Sequence, residues 1–62
     1  MNEYENFMQG MRGKVHTLLN NLGSDPTYRR RGQLEERQCK KIETVYLSLL
    51  RLEKYMEQAV KR

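Results

Sequence analysis

The sequence predicts an all-α protein: a two-helix antiparallel hairpin, with helices over about residues 2–22 and 34–61, dimerising into a four-helix bundle. Three observations carry that expectation. Apolar residues recur every three or four positions in two separate stretches, the signature of amphipathic helices. A Gly-Ser-Asp-Pro break at residues 23–26 divides the two. The second stretch is apolar over a band wider than one neighbouring helix can cover.

The first helix opens on Asn2. Its side chain can accept from a free backbone N–H in a pairing with Glu5, and Glu3 and Glu5 sit at the positive end of the helix dipole. Tyr4, Met8, Met11, Val15, Leu18 and Leu22 then return to one side at helical spacing, and Phe7 and Leu19 broaden that stripe. Gly10 and Gly13 fall off the stripe. They read as weak helix formers tolerated by packing rather than as points of close backbone approach. Gly23 directly follows the last stripe residue, where a left-handed cap is expected.

The connector, about residues 23–33, sends two signals. Asp25 as N-cap with Pro26 at the first helical position starts a helix at once. Apolar periodicity, however, resumes only at Cys39 or Ile42, and Gly32 weakens any continuous helix between. Antiparallel pairing arbitrates. Leu22 then meets Ile42, Leu18 Val45, Val15 Leu49, Met11 Leu52, Met8 Met56 and Tyr4 Ala59, which centres the turn near residue 32. The pairing favours a connector holding a single helical turn after Pro26 over one long helix from residue 26.

In the second helix Ile42, Val45, Leu49, Leu52, Met56 and Ala59 form a coiled-coil-like seam, which Tyr46, Leu50 and Val60 widen. An oligomer seam of Ile42, Val45, Tyr46, Leu49, Leu52, Met56 and Val60 follows. A chain of 62 residues allows one domain, in which hydrophobic gain and ordering entropy nearly cancel. Small chains escape that balance through disulfides, metals or self-association. Cys39 is the only cysteine and His16 the only histidine, so an intrachain disulfide and a Cys/His metal site are excluded. Self-association remains, hence a homodimer, unless another protein completes the core.

The net charge of +4 permits anionic partners without requiring them. Its arrangement says more. With Ile42 at heptad position a, Arg37, Lys40, Lys41, Arg51, Lys54, Lys61 and Arg62 fall at c, f or g, and Glu36, Glu43, Glu53 and Glu57 at b or e. Acidic and basic flanks of two subunits would then face each other and fix register. Alternatively, the basic flank and Arg29, Arg30 and Arg31 track phosphates, with Tyr28 stacking on an unpaired base. Tyr28, Arg29, Arg30, Arg31, Arg37, Lys40 and Lys41 are thus the candidate partner- or anion-binding residues.

Enzymatic chemistry finds little support. Acid–base work needs titratable groups converging in a water-excluded pocket, and a helical hairpin offers little concavity. His16 reads as a half-buried interface residue and Cys39 as a small hydrophobe beside the band. No phosphate loop, nucleophile elbow or zinc spacing is present, so no cofactor, metal or small-molecule substrate is expected. No apolar run reaches a membrane span and the N-terminus lacks a signal-peptide layout, so a soluble cytoplasmic chain is expected. The function that follows is a small non-enzymatic interaction or regulatory protein. It would bind another macromolecule through a helical surface and a basic connector; nucleic-acid binding is the alternative.

Overall fold

A computed structural model of the chain describes residues 2–61. Helix α1 (Glu3–Ser24) opens on a reciprocal capping box. Asn2 Oδ1 accepts from the Glu5 N–H at 2.8 Å, and the Glu5 carboxylate accepts from the Asn2 N–H at 3.4 Å. Its far end differs from expectation. Gly23 is helical, no residue among those described has positive φ, and the helix closes on Asp25, whose N–H donates to Leu22 O at 3.1 Å. Proline explains the change. The residue before Pro26 is driven into extended backbone, and Asp25 at φ −67°, ψ 132° stops α1 two residues after Gly23 without a left-handed cap.

Asp25 also starts what comes next. Its Oδ1 accepts from the N–H groups of Thr27 (2.8 Å) and Tyr28 (3.3 Å), capping the single turn α2 (Pro26–Arg29) with proline at its start. A 3₁₀ turn at Arg31–Gln33 follows. Leu34 and Glu35 are then extended before α3 (Glu36–Val60). The connector with one turn after Pro26 is therefore what forms, and the single helix from residue 26 is not. Caps divide unequally here, because α3 has no side-chain cap at Glu35. Asp25→Ala is expected to lower stability by about 1 kcal/mol, and Glu35→Asp to raise it by about 0.5–1 kcal/mol, both read from urea midpoints.

Helices α1 and α3 pack antiparallel into a body of 46 × 17 × 12 Å. The Tyr4 hydroxyl donates to Ala59 O at 3.4 Å, at the end away from the connector, the pair expected from the sequence. The core is thin. Val15 and Leu19 retain 7% exposure and Met56 5%, with Met8, Met11, Tyr46 and Leu49 packed against them.

Both seams are turned relative to the sequence expectation. On α3 Cys39, Ile42, Tyr46, Leu49, Glu53, Met56 and Val60 form a buried or half-buried row at regular three-and-four spacing, with Glu43, Glu57 and Ala59 half-buried beside it. Val45 and Leu52, expected inside, are 52% and 44% exposed. On α1, Leu19 is buried and Leu18 is 50% exposed. The reason is polar. This rotation brings the acidic flank of α3 against α1 and the connector. The His16 Nδ1–H donates to Glu53 Oε2 at 2.7 Å, Arg12 lies 3.6 Å from Glu57, and Arg31 reaches Glu43. Glu53 fits the seam because its methylenes are apolar while its carboxylate reaches out to His16. His16 itself is exposed rather than half-buried.

Among the described residues no helix is long and apolar enough to cross a membrane. Arg62, assigned above to the basic flank, lies outside them.

Candidate functional site

Two surfaces emerge, one apolar and one at the connector. The apolar one follows from helical geometry. On α1, Arg12 and His16 lie to one side of the buried Val15–Leu19 stripe, and Phe7, Lys14 and Leu18 lie to the other. On α3, Glu53 and Glu57 project toward Arg12 and His16, so Lys41, Val45, Leu52 and Tyr55 project the opposite way. In an antiparallel pair of right-handed helices, these two opposite flanks share one face. That face carries Phe7 at 63%, Leu18 at 50%, Val45 at 52% and Leu52 at 44% exposure, with Tyr55 at 66% on its edge. Apolar exposure is not confined to it, since Leu47 and Leu50 are also exposed on α3, Leu50 on the Glu53–Glu57 side.

The expected oligomer seam is accordingly divided. Tyr46, Leu49 and Met56 pack in the core against the chain's own α1, with Ile42 and Val60 half-buried in the same row. Val45 and Leu52 alone of that set remain available on the outer face. Phe7 and Leu18, read from the sequence as part of the internal stripe of α1, join them there. The signal that could have separated inner from outer residues was charge. Once Glu53 and Glu57 face Arg12 and His16, the helices can be rotated only one way.

The connector surface is built by Arg31. Its Nε–H donates to Glu43 Oε2 at 3.0 Å, and its Nη1 donates to Tyr28 O at 2.9 Å. The guanidinium carbon lies 4.2 Å from the centre of the Tyr28 ring, and that ring is 5.4 Å from Tyr46 at a 30° tilt. Hydrogen bonding to Glu43, outweighing partial desolvation, holds the Arg31 guanidinium above its ordinary pKa. The sign is simple. A raised folded pKa gives a contribution that is lost only as pH rises through it, so Arg31 itself stays charged throughout the working range.

Arg31 and Tyr28 are therefore a clasp joining the connector to α3, with the guanidinium over one face of the Tyr28 ring. Arg29, Arg30, Arg37 and Lys41 are exposed and make no ion pair among the described residues, whereas Lys40 lies 3.5 Å from Glu36. Arg31→Lys is expected to loosen the connector, because an ammonium cannot hold Glu43 and Tyr28 O while stacking on a ring. Amide exchange at residues 28–34 should accelerate, with exchange in the centre of α3 unchanged.

The concavity lined by Arg12, Gly13, His16 and Glu53 is shallow and open to solvent. Among the described residues no group of three or more His, Cys, Asp or Glu side chains is placed to hold a metal. Cys39 is a half-buried free thiol. No protein-family model, curated protein or solved structure matches the chain.

Proposed function

We propose that this chain is a non-enzymatic interaction module that works by occupancy, docking a helical partner on the face formed by Phe7, Leu18, Val45 and Leu52. One observation carries the reading: among the described residues these four side chains are exposed, while the buried hydrophobic residues are Val15, Leu19 and Met56. A hairpin this thin gains stability from whatever covers its open face, so partner binding and folding are linked. A regulatory role follows naturally, because the partner's availability would set the stable population. A second copy of the chain, giving a four-helix bundle, is the occupant that seam spacing alone suggests.

Replacing Leu18 and Leu52 together by serine tests the reading. The wild-type chain is expected to enhance the fluorescence of an apolar dye, and the double variant to lose most of that signal while keeping its helicity. Collapse of the helical signal would place these residues in the core and overturn the reading, as would unchanged dye binding.

Nucleic acid at the connector is the second reading, supported by the exposed and unpaired Arg29, Arg30, Arg37 and Lys41. Four phosphate contacts give a log–log salt slope of about −3.6 on a duplex. Titrating a duplex and a single strand at two salt concentrations measures it, and no binding at low salt excludes it.

A further inference from the structure

The charge on the docking face is predominantly positive. Lys14 lies between Phe7 and Leu18 on α1. On α3, Lys41 precedes Val45 by one turn and Arg37 precedes it by two. All three cations are exposed, and none makes an ion pair among the described residues. The carboxylates that could have answered them are engaged elsewhere in the same chain. Glu36 lies against Lys40, Glu43 against Arg31, Glu53 against His16 and Glu57 against Arg12. Of the helical carboxylates only Glu3, in the first turn of α1, falls on the docking side.

We infer that the occupant of this face is an acidic amphipathic helix, apolar on the side that meets Phe7, Leu18, Val45 and Leu52 and carrying Asp or Glu at its flanking positions. The inference rests on the docking reading above and names the chemistry of its partner. From Phe7 to Leu18 the face runs about 16 Å along α1, the length of roughly three helical turns. An amphipathic helix can lay its apolar side along such a face, with anchors at successive turns meeting these side chains. Met11, half-buried at its margin, offers an unbranched side chain that adapts to a foreign surface. A second copy docked by the same face would instead set Lys14, Arg37 and Lys41 of each chain against a face whose one helical carboxylate is Glu3, leaving cations in excess across the interface. Like charges placed across an interface select against that pairing. An anionic lipid surface matches the charge, but the chain has no tryptophan to anchor there.

The full chain, isotope-labelled, is titrated with two synthetic helical peptides that share one leucine face. One carries glutamate at the flanking positions and the other lysine. The same chain is examined by sedimentation alone and with vesicles of phosphatidylcholine and phosphatidylserine. The glutamate peptide is expected to shift the methyl resonances of Leu18, Val45 and Leu52 and to bind about tenfold more tightly than the lysine peptide. Lys14→Glu with Lys41→Glu, both at exposed positions, should reverse that order at unchanged helicity. Equal binding of the two peptides would overturn the acidic preference while leaving the docking face standing. A dimer that buries Leu18 and Leu52 would make a second copy the occupant, and capture by vesicles without peptide binding would make it lipid. Either outcome sinks the inference. A monomer that binds neither peptide nor vesicle would remove the docking reading as well.

Discussion

Leu19→Ala is expected to cost about 2–3 kcal/mol, while Leu18→Ala beside it costs less than about 0.5 kcal/mol. The two side chains have the same composition and sit one residue apart on the same helix, so propensity cancels between them. Packing does not. Leu19 is 7% exposed within the cluster it forms with Val15 and Met56, whereas Leu18 is 50% exposed on the outer face. Removing three carbons from Leu19 loses their transfer free energy and leaves a gap that a two-helix layer fills only in part. The lower part of the usual range applies, because solvent lies close on both sides of so thin a core. A chain this small draws no more than about 3–5 kcal/mol from its core, so Leu19→Ala takes most of the margin. Helicity followed through thermal melting at micromolar concentration should show Leu19→Ala melting more than about 10 °C below wild type, and Leu18→Ala within a few degrees of it. Equal losses, or the reverse order, would mean that α1 presents the stripe expected from apolar spacing and that the faces assigned here are exchanged.

The contrast between Leu18 and Leu19 marks where sequence reasoning reached its limit. Local signals were legible. Asn2 with Glu5 and Asp25 with Pro26 act through neighbouring backbone groups, so the start of α1 and the turn after Pro26 could be read directly. The antiparallel register was legible too, since Tyr4 and Ala59 do meet. The rotation of each helix about its own axis was not. An apolar band spanning Ile42, Val45, Tyr46, Leu49 and Leu52 admits two inward directions, and spacing favours the one with fewest charges inside. The molecule takes the other because Glu53 and Glu57 find His16 and Arg12 across the helix pair. Each exposed pair contributes only about 0–1 kcal/mol, so these pairs add to the packing of Val15, Leu19 and Met56 rather than replace it. At the connector, Arg31 read as one of three equivalent arginines. Its separate role depends on Tyr28, Glu43 and Tyr46 meeting in space, which no local spacing encodes.

The same weakness of local encoding makes α1 improvable. Gly10→Ala with Gly13→Ala is expected to stabilise the hairpin by about 1.5–2 kcal/mol and to raise its melting temperature by roughly 6–16 °C. Both glycines lie inside α1, neither has positive φ, and a Cβ built on either meets nothing within 4 Å. Alanine therefore adds no clash and removes no turn. It narrows the unfolded chain's conformational freedom while leaving the folded backbone as it was. Both positions lie off the buried stripe, but Gly13 lines the Arg12–His16–Glu53 side, whereas Gly10 is one turn from Phe7 and Lys14. Gly13→Ala should therefore leave docking at the apolar face unaffected, while Gly10→Ala borders it. That separation makes the pair diagnostic. A higher melting temperature with unchanged peptide affinity means that the back of α1 is ordinary solvated surface and the two glycines are merely poor helix formers. A higher melting temperature with affinity lost on Gly13→Ala alone would put a partner's backbone against Gly13, on the side of the hairpin opposite to the one inferred. No gain at all would mean that α1 is frayed through this stretch in solution, and that its tie to α3 is confined to the turns around Val15 and Leu19.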